Sequence, residues 1–345
     1  MSLLEKLKAT GAISSEVISQ SNFFKPKNIV QTKIPIINAA FSGSLDGGLV
    51  SGLTVIAGPS KFFKTNLGLV AVSAYMEKYP DAICLFYDSE FGVTPEYLRA
   101  HGIDGDRVIH LPILHIEQLK FDIVKKLEEI KKTDKVIIFI DSLGNLASKK
   151  EVEDAEEGKS VADMTRAKSI KSLFRIITPH LTMKDIPAIV INHVYEETGL
   201  YAKTIVSGGT GVMYSANQVF VIGRSQEKEG TEVVGYKFTI NIEKSRFVKE
   251  KSKLPFTVTF DGGINKWSGL LDLAMEAGIV KKPSNGWYAR VDTDTGELED
   301  KKWREADTNS MEFMKPILSN KKFNDFVRTK YQLAINNIQQ GDKNE

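Results

Sequence analysis

The chain divides by the spacing of its apolar residues. Between about residues 34 and 260, short apolar runs alternate with segments whose apolar residues recur every three or four positions. The runs are LTVIA (53–57), AICLFY (82–87), VIIFI (136–140), AIVIN (188–192) and QVFVI (218–222). They are rich in β-branched residues and nearly continuous, the pattern of strands buried on both faces. Helices are predicted between them. One carries Leu67, Val70, Ala71 and Ala74, and another Ile116, Leu119, Ile123, Leu127 and Ile130. A third carries Val161, Met164, Ala167, Leu173, Phe174 and Ile177 and opens on a capping box from Ser160 to Asp163. Strand–helix alternation predicts an α/β core: right-handed crossovers and a mostly parallel sheet flanked by helices. YKFTINIEKS (236–245) predicts a later strand in an antiparallel extension.

The two ends follow other patterns. LLEKLKATG and SSEVISQSNFF predict two short helices within residues 1–30, too small to form a core alone. Phe23 and Phe24, before Pro26, leave two readings open: local packing, or docking on another subunit. From Ser268 a small α+β lobe is predicted. Ser268 caps a helix, GLLDLAMEA, that Gly278 ends. WYARVDTDTGELED reads as a hairpin, and Asn320 caps a last helix with Phe323, Phe326, Val327 and Tyr331 on one face. The expected units are therefore a helical arm (1–30), a core (31–267) and a C-terminal lobe (268–345).

Composition narrows the class only a little. With 345 residues there is room for one large core plus a smaller lobe. The formal net charge is only +2, so a nucleic-acid face has to come from local clusters of Lys and Arg. The one cysteine, Cys84, lies in an apolar run and is expected to be buried; it forms no internal disulfide, which fits a reducing cytosol. No apolar run approaches the about 18 residues of a membrane span, and MSLLEKLKATGA lacks a signal-peptide stretch. The expected location is cytoplasmic.

The chemistry concentrates at strand ends. GPSKFFKT (58–65) follows the strand LTVIA and precedes an amphipathic helix. A phosphate-binding loop needs a turn whose N–H groups wrap phosphate, a Lys for the β and γ phosphates, and a hydroxyl for magnesium. Gly58, Lys64 and Thr65 fill those roles, and Pro59, Ser60, Lys61, Phe62, Phe63 and Asn66 complete the candidate nucleotide-binding run. Phe63 stands where the pattern has Gly. It is tolerated if its backbone is helical and its ring points away from the nucleotide. Asp141 ends the strand VIIFI, the usual place of a carboxylate that holds magnesium beside such a loop. Glu90, in YDSE (87–90), is placed either to polarise an attacking water or to cap a helix.

Asn192 and His193 end the next strand, and His193 is a candidate functional residue across from the loop. The segment after it, VYEETGLYAKTIVSGGTGVMYSA, has little periodicity and reads as a long loop. Its Tyr195, Tyr201, Lys203 and Tyr214, with Gly208 and Gly209, suit stacking against single-stranded nucleic acid. A second candidate loop, KKEVEDAEEGK (149–159), is acidic in its middle; Arg166, Lys168 and Lys171 beyond it suit phosphate better. Lys244, Arg246, Lys249, Lys251 and Lys253 fall in ten residues and read either as a solvated turn or as a phosphate-facing cluster.

The order of these features resembles the RecA recombinase core, and most resembles the UvsX recombinases of T-even-like bacteriophages. TKIPIINAAFSG, FYDSEFG, FIDSLGNLASKKE, DMTRAK, SLFRI, SGLLDLA and GWYAR carry the likeness across nearly the whole chain. GPSKFFK, without Gly before Lys, looks like the phage form. The resemblance implies an ATP- and Mg2+-dependent DNA strand-exchange recombinase that forms helical filaments on single-stranded DNA. It would serve recombination, repair and recombination-dependent replication, with ATP at subunit interfaces. It implies double-stranded DNA, mediator and single-strand-binding proteins as further partners, in a host cytoplasm. Glu90 then resembles the catalytic glutamate, Asp141 the magnesium aspartate, and Tyr97 the aromatic that stacks on adenine. His193 lies where bacterial RecA has a Gln that senses the γ-phosphate. Lys244 and Arg246 resemble bases that reach a neighbour's nucleotide. Residues 149–166 and 194–213 resemble the two DNA-binding loops, and residues 1–24 the arm that packs on an adjacent protomer. The final QQGDKNE lacks the strongly acidic tail common in these proteins. Two rivals share the same ATP site: a RecA-core ring helicase, against which the C-terminal lobe argues, and a paralogue that uses ATP only as interface glue, against which Glu90 argues.

Overall fold

The computed structural model describes residues 1–11, 15–21, 29–159, 165–197 and 204–334. The strands are β1 (Gly52–Ala57), β2 (Ile83–Asp88), β3 (Val108–Pro112), β4 (Val136–Asp141), β5 (Pro187–Asn192), β6 (Val194–Glu196), β7 (Thr204–Val206), β8 (Gln218–Glu229), β9 (Glu232–Ser245), β10 (Lys253–Thr259) and β11 (Gly263–Ile264). All except β6 and β7 form one sheet in the order β11-β10-β9-β8-β1-β5-β4-β2-β3. From β3 to β8 every pairing is parallel, as the apolar runs predicted. The β8–β9 and β9–β10 pairings are antiparallel, so 236–245 is the expected extension.

Helices α1 (Leu3–Ala9), α2 (Pro35–Ser42), α3 (Lys64–Lys78), α4 (Pro95–Ala100), α5 (Ile116–Glu129), α6 (Lys149–Glu156), α7 (Thr165–Met183), α8 (Thr210–Ser215) and α9 (Leu270–Glu276) complete the first three quarters of the chain. Strands β1, β4 and β5 are buried along their whole lengths. Alternate residues feed two layers, because side chains of a strand point to opposite faces. Ile56, Phe139 and Ile191 join Leu67, Ala71 and Val72 of α3. Val55, Ile138 and Val190 join Leu119 and Ile123 of α5 and Leu173, Phe174 and Ile177 of α7. Cys84 is buried as expected, and burial pushes its thiol up to about 12, which makes it unreactive.

Four details depart from the sequence reading. The second N-terminal helix is, among the described residues, one 3-10 turn, Ile18–Gln20. Residues 149–156 form helix α6 rather than a loop. Ser148 accepts from the Glu151 N–H at 3.0 Å, and Glu151 returns the bond in a capping box. Residues 194–206 contain a small antiparallel ladder of β6 and β7. Helix α9 starts after Gly269 (φ 72°) instead of being capped by Ser268, whose Oγ accepts from Thr257 N–H at 2.9 Å. The capping box Ser160–Asp163, Phe23 and Phe24 lie outside the described residues.

The C-terminal part builds a three-stranded sheet, β12 (Val280–Ser284), β13 (Trp287–Arg290) and β14 (Trp303–Arg304), with the predicted hairpin after β13 closed by a Val291–Leu298 bridge. Helices α10 (Glu305–Thr308), α11 (Met311–Ser319) and α12 (Lys321–Tyr331) follow. Asn320 caps α12 as expected, accepting from Phe323 N–H at 3.1 Å. Phe323, Val327 and Tyr331 join the same apolar layer as Ile36 and Phe41 of α2. Arg328 pairs with Asp46 at 2.7 Å. The last helix is thus tied back to the start of the core. Among the described residues no helix is long and apolar enough to cross a membrane.

Candidate functional site

The turn 58–63 leaves the carboxyl end of β1, in the middle of the parallel region, and feeds the N-terminus of α3. This is where open α/β sheets bind ligands. Phe63 has φ 60° and ψ 19°, a left-handed rather than right-handed helical backbone. It adopts the conformation glycine would take freely, at a cost of about 1–2 kcal/mol. The ring does turn away from the loop. It stacks on Phe238 at 5.1 Å and lies 5.9 Å from Phe256. Aromatic pairs of this kind contribute about 0.5–1.5 kcal/mol each, enough to offset the backbone cost. Arg224 on β8, unrecognised in the sequence, braces the same turn. Its Nη1 donates to the Lys61 carbonyl at 3.1 Å, and its guanidinium lies 4.7 Å from the rings of Phe62 and Tyr236.

Lys64 is buried and its Nζ donates to the Pro59 carbonyl at 2.8 Å. Burial lowers its pKa, while the charges of Glu90 and Asp141 oppose that shift. Thr65 Oγ1 donates to Asp141 Oδ2 at 2.7 Å. Asp141 Oδ1 is buried with no hydrogen-bond partner among the described residues. Burial pushes the Asp141 carboxyl up to about 7; the Thr65 hydrogen bond opposes this, and the charges of Glu90 and Asp88 add to it. A buried, unpartnered carboxylate oxygen beside a hydroxyl fits a hard divalent cation, which binds oxygen ligands and keeps water. An ammonium beside a helix N-terminus fits the phosphates such a cation would accompany.

Glu90 is set by the strand end before it. Asp88 Oδ1 accepts from the N–H groups of Glu90 at 3.0 Å and Phe91 at 2.8 Å, which turns the chain out of β2. His110 Nε2 lies 3.0 Å from Asp88 Oδ2. The Glu90 carboxylate then meets two groups at Oε1: His193 Nε2 at 3.1 Å and the Asn145 amide, which donates at 3.1 Å. The hydrogen bond to His193 lowers the Glu90 pKa, with burial opposing it. Gly144 makes this arrangement possible, since a Cβ there would lie 2.3 Å from His193 Cδ2. His193 also begins the β6–β7 segment. Its carbonyl accepts from Ser207 N–H at 2.9 Å, and Asn192 donates to the Ser207 carbonyl at 2.7 Å.

The structure therefore gathers Lys64, Thr65, Asp141, Glu90 and His193 into one site. Tyr97 is half-buried on α4 and donates to Asn66 of α3, beside that site. The candidates for DNA and for the neighbouring subunit have other surroundings. Arg166 donates to the carbonyls of Leu146 at 2.7 Å, Gly144 at 2.9 Å and Leu143 at 3.2 Å, so its guanidinium is engaged within the chain. Lys168 is exposed, Tyr195 is 52% exposed, and Gly208 (φ 91°) and Gly209 (φ 71°) turn the chain into α8. Tyr201 and Lys203 lie outside the described residues. Lys244 donates to the carbonyls of Met213 at 2.5 Å and Tyr214 at 3.3 Å, and Arg246 is exposed.

Fold and site together define a nucleotide-binding α/β core of the P-loop class. The RecA N-terminal domain family matches residues 26–265, and the family described as the C-terminal domain of the bacteriophage T4 recombination and repair protein matches residues 267–327. The recombination and repair protein of Enterobacteria phage T4 is 54% identical over 332 residues, 95% of this chain and 85% of that protein. Protein RecA of Clostridioides difficile is 28% identical over 85% of each chain. Protein RecA of Tropheryma whipplei is 31% identical over 73% of this chain and 56% of that protein. The chain belongs to the RecA family and is a DNA strand-exchange recombinase, which sets aside the ring-helicase reading.

Proposed function

We propose that this recombinase binds ATP with Mg2+ at residues 58–66, hydrolyses it with Glu90 as the base, and uses the cycle to form and release helical filaments on single-stranded DNA. The observation that carries the reading is the orphaned Asp141 Oδ1 beside Thr65, with Lys64 and Glu90 adjacent. Thr65 and Asp141 would hold the metal, which when bound neutralises phosphate charge. Lys64 contributes positive charge from the helix N-terminus. Glu90 accepts a proton from the attacking water, and Tyr97 supports the base of the nucleotide. Lys168, Tyr195, Tyr201 and Lys203 are proposed DNA contacts. The arm (1–30), whose Leu3, Leu4 and Leu7 are exposed, would pack on a neighbouring protomer, next to the core (31–267) and lobe (268–345). Double-stranded DNA is the exchange partner. Mediator and single-strand-binding proteins would load the filament, in the cytoplasm of the host cell.

Asp141→Asn tests the metal site with two opposite effects. DNA-stimulated ATP hydrolysis should fall by roughly a hundredfold, the scale of several kcal/mol of lost charge stabilisation. In EDTA the same protein should melt at a higher temperature than the parent. The Asp141 carboxyl titrates at about 7 in the fold against 3.8 when unperturbed. The folded state therefore holds the proton more tightly and loses stability as pH rises between those values, staying at the lower level above them. Asn removes that loss, so the gain should be full at pH 8 and fade towards pH 4. Unchanged hydrolysis, measured with Mg2+ and single-stranded DNA, would refute the assignment.

Lys244 and Arg246 are proposed to supply charge to the γ-phosphate of the neighbouring subunit, as an arginine finger does. Lys244→Ala/Arg246→Ala protein and Glu90→Gln protein should each be inactive, yet recover ATPase activity on mixing, since some interfaces then hold an intact pair. No recovery at any ratio would place the two bases in cis or on DNA.

A further inference from the structure

Arg166, a candidate DNA contact, spends its guanidinium on three backbone carbonyls of the turn 143–146. That turn is not a passive connection. It leaves β4 directly after Asp141 and carries Asn145, whose amide reaches Glu90 Oε1. It is stitched to Glu90's own segment a second time, because Ser89 Oγ donates to the Ser142 carbonyl at 2.8 Å and accepts from Ser142 N–H at 3.0 Å. Gly144 lies against the His193 ring, so the turn also touches the second partner of Glu90. Arg166, the turn, Asn145 and Glu90 thus form one unbroken series of contacts. It runs from the first turn of α7 to the carboxylate.

We infer that Asn145 is a positioning residue that restrains Glu90 when DNA is absent, and that DNA relieves the restraint through Arg166. The inference rests on the reading of Glu90 as the base. A carboxylate oxygen that already accepts from an amide and faces an imidazole is less available to a water proton. Arg166 holds the turn by bonds to neutral carbonyls, whereas a DNA phosphate offers it a charge-assisted partner, which is the stronger kind. Capture of Arg166 by phosphate frees the turn, Asn145 swings from Glu90, and the carboxylate becomes available. The turn is the two-state element whose equilibrium both sites bias. Asn145 is exposed, so its replacement leaves the core intact.

The test is steady-state ATP hydrolysis by full-length protein, with and without saturating single-stranded oligonucleotide. Asn145→Ala should raise the DNA-free rate by roughly threefold to tenfold, the worth of one typical hydrogen bond. The DNA-saturated rate should stay within about twofold, since DNA has already broken that bond in the parent. A residue with a merely structural role would lower both rates. The double variant Glu90→Gln/Asn145→Ala should be inactive with and without DNA, which places the gain on Glu90. A DNA-free rate that stays level or falls in Asn145→Ala overturns the inference, and so does a fall in the DNA-saturated rate. The two readings fail separately. If Glu90→Gln alone turns over normally, the base assignment is wrong. If Glu90→Gln is inactive and Asn145→Ala shows no DNA-free gain, only the restraint is wrong.

Discussion

Glu90→Gln protein is expected to bind ATP and single-stranded DNA like the parent and to hydrolyse ATP at least about a hundredfold more slowly, the scale of a lost general base. The substitution is nearly isosteric. Its amide can keep an oxygen towards Asn145 and His193, which now meet Glu90 Oε1 at 3.1 Å each. The backbone is fixed independently by Asp88, through the N–H groups of residues 90 and 91. Fold and ligand affinity should therefore survive. What disappears is the negative charge and the site that takes a proton. The Lys64 ammonium, whose charged form Glu90 favours, loses one neighbour but keeps Asp141. Two measurements decide: a coupled ATPase assay with saturating DNA, and equilibrium binding of a slowly hydrolysed analogue. Normal turnover would make Glu90 a capping acid only. Weak analogue binding with slow turnover would make it part of nucleotide affinity rather than of the chemical step.

Much of this site was legible because its residues sit where short-range patterns end. An apolar strand followed by GPSKFFKT places Lys64 and Thr65 without reference to the rest of the chain, and Asp141 closes the apolar run VIIFI in the same way. The remainder depends on contacts between distant positions. Asn145 meets Glu90 across 55 residues and Arg224 meets Lys61 across 163, and no periodicity marks either. Arg166 reads as a phosphate ligand from its basic sequence neighbours, but its carbonyl partners lie in a turn some twenty residues earlier and are not visible there. Phe63 shows a further limit. Its left-handed backbone is made tolerable by Phe238 and Phe256, two strands of a later extension, so the missing glycine could not be explained locally. Helix α6 has a local signal as well, since Ser148 and Glu151 spell a capping box at its start.

His193→Ala is expected to leave ADP affinity and folding unchanged while flattening the dependence of DNA binding on the nucleotide. His193 stands between two elements. Its ring faces Glu90 at 3.1 Å and Ser142 Oγ at 3.4 Å, at the mouth of the site. Its backbone carbonyl accepts from Ser207 N–H and so closes the base of the β6–β7 segment, the proposed DNA-binding loop. Asn192 reinforces that base from β5. In the proposed cycle a γ-phosphate would compete with Glu90 for the imidazole, and the same residue whose ring exchanges partners anchors the loop through its backbone. One phosphate contact thereby biases an ordered, DNA-binding arrangement against a looser one. Coupling free energies of about 1–3 kcal/mol correspond to roughly 5–150-fold tighter DNA binding with ATP than with ADP. Reciprocity requires DNA to tighten ATP binding by the same factor, so the parent protein can be checked from both sides. Fluorescence anisotropy of a labelled oligonucleotide, in ADP and in a slowly hydrolysed ATP analogue, measures the ratio directly. In His193→Ala it should approach one, because the loop base keeps its backbone bonds but loses the ring that reads the phosphate. A variant that retains the parent's full ratio would reduce His193 to a packed strand-end residue, with the nucleotide sensed by another group.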